Sequence, residues 1–230
     1  EYSINKDFID RIIFQLCVLY SYDDLKIVVL TNETNDKEKK WDYIKVLPHA
    51  WDNERNIRFY GTNKDEIREI CYYLDNELSK RINEKENKRS SKIPFYLIIT
   101  DNYKTVRNFD FIKKILSIDE KYGFGIFIMN DKIFNLPAEC DNFININYKS
   151  AEIFQNILNT NIQKFVVDFT TPLDMYEYSQ KMANIPIEFN DDENGSLVSK
   201  VGFLELYNVG KIEQLNILNR WKDSNPMLSL

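Results

Sequence analysis

Three short apolar runs constrain the fold of this chain more than any other feature: Leu25–Leu30, Phe95–Thr100 and Phe124–Met129. Continuous apolar runs of this length, rich in β-branched and aromatic residues, are typical of parallel strands buried on both faces. Segments with helical periodicity lie between them, and Lys64–Glu86 is the clearest because its apolar residues form one stripe. Strands that alternate with helices predict an α/β fold around a mainly parallel sheet.

Further elements follow from the same kinds of pattern. Thr171 and Pro172 predict a helix start, because threonine caps helices and proline suits the first helical position. The acidic, glycine-containing segment 191–196 predicts a linker, so we expect residues 1–190 to form one domain and residues 191–230 a linker with a connector helix. The other predicted elements are helices over Asp7–Tyr20, Phe109–Ser117, Thr171–Ala183 and Leu204–Lys222, and strands over Ile57–Tyr60, Phe143–Asn147 and Ile162–Phe169.

Composition excludes several classes of function. The formal net charge of −6 at pH 7 lacks the basic footprint of a phosphate-backbone binder, so we expect no nucleic-acid partner. Three cysteines without C-x-x-C spacing predict reduced thiols and not a disulfide framework. No apolar run is long enough to span a bilayer, and no signal peptide is visible.

The sequence starts at Glu1, inside a helical pattern, and we expect it to be part of a longer protein.

The glycines, the single histidine and the acidic linker predict no metal or catalytic site of their own. The one Gly-Lys pair, Gly210-Lys211, lacks the strand and the second glycine that a phosphate-binding loop needs. His49 has no serine or cysteine nucleophile motif nearby, and we expect it to hold a turn. The run Asp191–Glu193 lacks the alternating ligands and the closing glutamate of a calcium loop. We therefore expect no metal and no cofactor.

One pair of polar residues occupies a position where chemistry is common. Asp101 follows a buried strand directly, at the edge where α/β sheets bind ligands. The next residue is Asn102, whose amide cannot accept a proton from water as a general base does. Asp101 is therefore open to two interpretations, a turn residue at a strand end or the remnant of a magnesium-binding aspartate.

The order of segments resembles the FtsK/SpoIIIE-type motor domains of type VII secretion ATPases, the EssC and EccC family. The similarity extends over nearly the whole chain, and its most specific part is the final one, which is similar to the connector before the first active motor domain of the EssC branch. The matching segments are Leu16–Leu25 (exit of the P-loop helix), Leu47–His49, Glu77–Arg81 (end of the long helix), Phe95–Asn102 (Walker B strand), Gly123–Asn130 (sensor strand) and Gly202–Trp221 (connector).

The resemblance implies a RecA/FtsK-like P-loop NTPase fold, a three-layer sandwich with a mostly parallel sheet, whose nucleotide site is degenerate. Asn5 falls at the position of the P-loop lysine, and Lys6 falls at the position of the following serine or threonine. The implied vestigial site also contains Asp101, Asn102 and Asn130, the last at the end of the sensor strand. A neutral Asn5 removes a cationic clamp on the phosphates, Lys6 removes a magnesium ligand, and Asn102 removes the base. The strand that precedes the P-loop in this family is expected before Glu1.

These departures favour a non-catalytic domain, the degenerate copy that the family carries between its membrane helices and its first motor domain. We expect it to relay or regulate assembly and motor activity in protein export, at the cytoplasmic face of the cell membrane. Its expected partners are the adjacent motor domain and the neighbouring subunits of a hexamer. Two alternatives stay open: a regulatory domain that binds nucleotide with weak or no hydrolysis, and a receptor surface for WXG-type secreted proteins.

Overall fold

The computed structural model describes residues 2–32, 40–86, 93–147, 150–155, 162–169 and 173–185. The predicted linker, connector helix and remaining carboxyl-terminal residues lie outside this part of the chain. The helices are α1 (Tyr2–Leu19), α2 (Lys64–Glu86), α3 (Tyr103–Val106), α4 (Asp110–Ser117) and α5 (Met175–Ala183), and the strands are β1 (Leu25–Leu30), β2 (Tyr60–Gly61), β3 (Phe95–Thr100), β4 (Phe124–Ile128), β5 (Phe143–Ile146), β6 (Ala151–Phe154) and β7 (Gln163–Phe165). Short 3₁₀ turns cover Asp42–Lys45, Pro48–Ala50 and Ile133–Asn135.

The three apolar runs form three adjacent strands of a four-stranded sheet in the order β2-β1-β3-β4. Every neighbouring pair is parallel; Leu25 pairs with Phe95 at the start of the ladder and Leu30 with Thr100 at its end. All six residues of β1 are buried, as expected for a strand covered on both faces. The predicted bounds of β1, β3 and α2 coincide with those of the structure.

Helices cover both faces of this sheet. Ile27 and Val29 of β1 pack with α1 and with residues of α5, whereas Val28 and Leu30 pack with α2 and α4. Successive side chains of a strand point to opposite faces, so one apolar strand supplies both cores. The predicted three-layer α/β fold with a parallel sheet is therefore confirmed.

The long helix α2 begins where the neighbouring side chains can accept hydrogen bonds from the backbone N–H groups of its first turn. Asn63 accepts hydrogen bonds from the backbone N–H groups of Asp65 and Glu66, both at 3.0 Å. The Glu66 carboxylate accepts in turn from the backbone and hydroxyl of Thr62, at 2.8 and 2.9 Å. Reciprocal bonds of this kind cap the first turn of a helix. They explain why the helix starts at Lys64.

The segments after β4 differ from the prediction. The predicted strands over 143–147 and 162–169 are shorter in the structure and do not join the parallel sheet. They form a separate antiparallel sheet in the order β5-β6-β7, in which Phe143 stacks on Phe154 with ring centroids 5.7 Å apart. The middle strand β6 was not predicted, because its four residues carry no clear period.

Three helix or strand starts also need correction. α1 begins at Tyr2 and not at Asp7, so Asn5 and Lys6 are already helical. Asp174 caps α5, since its carboxylate accepts from the backbone N–H groups of Tyr176 and Glu177, at 3.0 Å each. The predicted start at Thr171 lies outside the described residues. The predicted strand over 57–60 is an isolated bridge at Arg58 followed by β2.

Candidate functional site

The carboxyl ends of β3 and β4 meet the amino-terminal end of α1 at one edge of the parallel sheet. Asp101 and Asn102 follow β3, and Asn130 lies two residues beyond β4. α1 supplies Asn5 and Lys6 from its first two turns. All five residues of the implied vestigial site are therefore on elements that end or begin at this edge, where open α/β sheets bind ligands.

Lys6 is buried, although its position in the family is that of a small hydroxyl residue. Its side chain is 8% exposed, and its Nζ lies 2.5 and 2.6 Å from the two carboxylate oxygens of Asp10, one helical turn further along α1. The same Nζ lies 4.1 Å from the ring centroid of Trp41 and 5.0 Å from that of Tyr43. A carboxylate and two aromatic faces thus stabilise the ammonium group.

Trp41 connects this ion pair to the end of β3. Its side chain is fully buried, and its indole Nε1 donates a hydrogen bond of 3.0 Å to a carboxylate oxygen of Asp101. The Tyr43 hydroxyl donates to Asp10 at 2.6 Å. These residues form one network, here named the Trp41 cluster: Lys6, Asp10, Trp41, Tyr43 and Asp101. A large aromatic ring therefore lies between the amino-terminal end of α1 and Asp101.

Burial dominates the electrostatics of the Trp41 cluster. Burial raises the pKa of the Asp10 carboxyl above its ordinary value, and the Lys6 ammonium opposes this shift. Burial also raises the pKa of Tyr43 well above its ordinary range, and the neighbouring Asp10 carboxylate raises it further. The Tyr43 hydroxyl consequently keeps its proton and can only donate to Asp10. Within the cluster, Tyr43 and Lys6 are donors to Asp10, and Trp41 is a donor to Asp101.

Asn102 and Asn130 take part in local turns. The Asn102 side chain accepts from the backbone N–H of Thr105 at 3.3 Å and caps the short helix α3. Asn130 accepts from the backbone of Lys132 and from the side chain of Asn135, both at 3.1 Å. Each amide oxygen therefore stabilises the loop that follows its own strand.

Asn5 does not belong to the Trp41 cluster. It lies with Asn130 on the wall of a cavity of about 350 Å³ beside β4. The structure thus divides the five predicted residues into three groups. Lys6 and Asp101 are joined through Trp41, Asn5 and Asn130 line the cavity, and Asn102 is a helix cap.

Sequence reasoning missed Asp10, Trp41 and Tyr43. Trp41 and Asp101 are 60 positions apart, and Tyr43 and Asp10 are 33 positions apart. A tryptophan after a polar run of sequence gives no indication that it pairs with an aspartate so far along the chain. The one available signal was the Lys6–Asp10 spacing of four residues, which places both charges on the same face of a helix.

His49 lies at the opposite, amino-terminal edge. Its Nε2 is 2.9 Å from the backbone carbonyl of Tyr20 at the end of α1, so this nitrogen carries the proton and donates. Burial lowers the pKa of His49 and favours the neutral ring. These contacts agree with the predicted structural role in a turn.

Comparisons with known proteins find sequence similarity to secretion proteins. No protein-family model matches it. The type VII secretion system protein EssC of Staphylococcus aureus strain MSSA476 is 26% identical over 226 residues, which cover 94% of this chain. The ESX secretion system protein EccC of Geobacillus thermodenitrificans is 21% identical over 235 residues, or 99% of this chain. In both cases the match spans 15% of the relative's length.

A solved structure has the same fold. It is that of EssC (ATPases 2 and 3) from Geobacillus thermodenitrificans, with a TM-score of 0.55 and 13% sequence identity. The match covers 77% of this chain and 40% of that one. An identity this low speaks for the fold alone.

Proposed function

We propose that this chain, which is homologous to a segment of the EssC and EccC type VII secretion proteins, is a non-catalytic, ATPase-like module of a secretion ATPase. In this role it relays or regulates assembly and motor activity while other domains hydrolyse ATP. The observation that carries the proposal is the Trp41 cluster, because its buried indole connects the two sides of the edge where a nucleotide would bind.

Phosphoryl transfer needs a cationic clamp, a magnesium ligand and a base, and the residues at this edge are poorly suited to all three roles. A P-loop needs a lysine that reaches the phosphates, but Asn5 is neutral and Lys6 is paired with Asp10. Asp101 accepts a hydrogen bond from Trp41, which competes with a role as a magnesium-shell ligand. Asn102 caps α3 and has no proton-accepting carboxylate. Three independent obstacles favour an interaction role over hydrolysis.

The proposed partners follow from the relatives. The structural relative contains ATPases numbered 2 and 3, and the chain spans only 15% of EssC, so we propose that it contacts an adjacent motor domain and neighbouring subunits of a hexamer. The proposed location is the cytoplasmic face of the cell membrane. Among the described helices, none has the length and apolarity to cross a membrane.

Calorimetric titration with ATP and magnesium tests the non-catalytic role. We expect no binding heat at millimolar ATP for the unmodified chain, because the indole occupies the site and no cationic clamp is available. Micromolar binding that Asp101→Ala abolishes would contradict the proposal and support the alternative of a nucleotide-binding regulatory domain.

A Trp41→Ala variant separates two causes of weak binding. If the lost P-loop residues are sufficient to prevent binding, this variant also gives no heat. If nucleotide binds only after the indole is removed, Trp41 itself excludes it. In the longer protein, Asp101→Ala should leave the rate of ATP hydrolysis within about twofold of that of the unmodified protein, because other domains hydrolyse ATP. A twofold change in rate corresponds to less than about 0.5 kcal/mol of activation free energy.

A further inference from the structure

A second cavity, of about 520 Å³, lies at the amino-terminal edge of the parallel sheet, between α2 and the loop that precedes β2. The loop, residues 52–57, is closed by a hydrogen bond of 3.1 Å from the backbone N–H of Asp52 to the carbonyl of Ile57. α2 contributes Tyr73 and Glu77 to the cavity wall, and the start of β3 contributes Tyr96. This space, here named the Asp52 cavity, is at the edge opposite the Trp41 cluster.

Asp52 brings a buried carboxylate to the wall of this cavity. The residue is only 8% exposed, and its Oδ1 accepts a hydrogen bond of 2.8 Å from the backbone N–H of Ile57. Among the residues that the structure describes, none donates a hydrogen bond to the second oxygen, Oδ2. Buried carboxylate oxygens are normally satisfied, so Oδ2 points to a donor from outside the chain.

Two tyrosine hydroxyls and two further carboxylates face the same space. Burial raises the pKa of Tyr96, and its neighbour Tyr73 raises it further through a hydrogen bond between the two hydroxyls. The same bond lowers the pKa of Tyr73, so Tyr96 is the donor and Tyr73 the acceptor. Burial nevertheless raises the pKa of Tyr73, and the carboxylates of Asp52, Glu77 and Glu54 add to the rise. Three negative charges therefore act at the Tyr73 hydroxyl.

Arg81 and Lys26 lie near the cavity, but neither forms an ion pair with Asp52. The Arg81 guanidinium is held by a glutamate one helical turn away and by two backbone carbonyls. Lys26 in β1 is 1% exposed, and burial lowers its pKa, although the carboxylates of Asp23 and Asp52 oppose the shift. The negative charge of the cavity is thus left for a ligand.

We infer that the Asp52 cavity binds an alkylammonium or guanidinium group, the cation carried by lysine and arginine side chains and by free polyamines. The cation donates to Oδ2 of Asp52, and the Tyr73 oxygen offers a second acceptor. Ile57 and Pro94 on the same wall provide apolar contact for an alkyl stem. An organic cation is favoured over a metal ion, because no group of three or more histidine, cysteine or acidic side chains among the described residues could hold one.

Titration of the folded chain with small probes, followed by the NMR signals of its backbone amides, tests the site. The cationic probes are the capped amino acids N-acetyl-lysine methylamide and N-acetyl-arginine methylamide, and spermidine; N-acetyl-glutamine methylamide is the neutral control. We expect saturable shifts at Ile57 and Tyr73 with the cations and none with the control. Equal shifts with the neutral probe, or no saturable shift with any cation, would overturn the inference.

The same titration distinguishes the two sources of the cation. Saturation at a lower concentration by a capped amino acid than by spermidine assigns the site to a side chain of a partner protein. The reverse order assigns it to a free polyamine. Neither result depends on the proposed function, because ATP binding is measured at the opposite edge of the sheet.

Paired variants locate the binding charge. Asp52→Asn keeps an acceptor for the Ile57 N–H but removes the charge, so we expect cation binding to weaken by about tenfold or more. Asp65→Asn removes an equal charge from an 88% exposed side chain at the start of α2 and should change binding by less than about twofold. Equal weakening by both variants would show that only the net charge matters and would sink the assignment.

Two further variants keep the test decisive if Asp52→Asn does not fold. Lys80→Gln removes an exposed competing cation from the cavity wall and should strengthen binding of the cationic probes. Tyr73→Phe removes the second acceptor and should weaken it. Circular dichroism confirms that each variant is folded. Unchanged binding in both variants would contradict the inference.

Discussion

At each of two edges of the parallel sheet, the carboxyl edge and the amino edge, a cation is buried among aromatic rings. The two cations differ in the groups that they contact. At the carboxyl edge, Lys6 contacts the Asp10 carboxylate and the rings of Trp41 and Tyr43. At the amino edge, the Arg81 guanidinium lies 5.1 Å from the rings of Tyr96 and Phe124, and it also donates to backbone carbonyls at 2.8 and 3.0 Å.

The carbonyls that Arg81 contacts explain its role. They belong to Pro94 and Tyr122, which lie just before β3 and β4. Arg81 therefore joins α2 to the starts of two strands, with Glu77 as its ion-pair partner at 3.0 Å. The contacts of Lys6 with Trp41 and Tyr43 instead join α1 to the segment around the 3₁₀ turn Asp42–Lys45. The comparison indicates that Arg81 stabilises the starts of two strands, whereas Lys6 holds α1 against aromatic rings at the other end of the sheet.

Removal of Arg81 should have the largest effect on stability. Arg81→Ala removes the donor of two half-buried backbone carbonyls and of Glu77, and we expect it to lower the free energy of unfolding by about 3–5 kcal/mol. Urea denaturation followed by circular dichroism measures this change. Glu77→Gln is the matched control, since Glu77 is 24% exposed and Arg81 keeps its carbonyl bonds. A loss no larger than that of the control would refute the assigned role.

Removal of Lys6 should have a smaller effect that depends on its partner. Lys6→Met leaves the Asp10 carboxylate buried without a cation, and we expect a loss of about 2–3 kcal/mol. Asp10→Asn in the same chain should recover part of this loss, because a neutral amide does not need the cation and can still accept from Tyr43.

A double-mutant cycle of these two changes gives their coupling energy. We expect a value within about 0.5–3 kcal/mol, the range found for residues that share a hydrogen-bonded network. Additive effects would show that Lys6 and Asp10 act independently and that the Trp41 cluster is not one unit. The same cycle at Arg81 and Glu77 tells whether the two edges differ in how tightly their charges are coupled.

The smallest effect concerns pH and the amino edge. Burial lowers the pKa of folded His49 below the ordinary value of 6.5, so the unfolded chain gains a proton first as pH falls. His49 therefore contributes stability above pH 6.5 that is lost as pH falls toward its folded pKa. Between about pH 7.5 and about pH 5.5 we expect a loss of up to about 1 kcal/mol that is absent in His49→Gln. Because His49 is the only histidine, the difference between the two proteins isolates it. Equal pH dependence of both would refute the shift.

The local sequence pattern was sufficient to predict the central elements of the fold. The apolar runs of β1 and β3 and the stripe of α2 have the predicted bounds because a strand buried on both faces and a helix with one apolar face leave unmistakable periods. β6 and the shift of β2 were not predictable, since strands of two to four residues depend on their neighbours for pairing. The start of α5 at Asp174 needed knowledge of which of several polar residues caps the helix.

The sequence by itself determined that this chain folds around a parallel sheet, because that conclusion depends on residue type and local period. That Asn5 and Asn102 replace the catalytic residues of a P-loop enzyme stays a prediction from the resemblance. Only the tertiary structure decided which side chains meet at the carboxyl edge of the sheet. Trp41 reaches Asp101 across 60 positions, and Lys6 is buried against its ring, because side chains far apart in sequence meet at the carboxyl edge of the sheet.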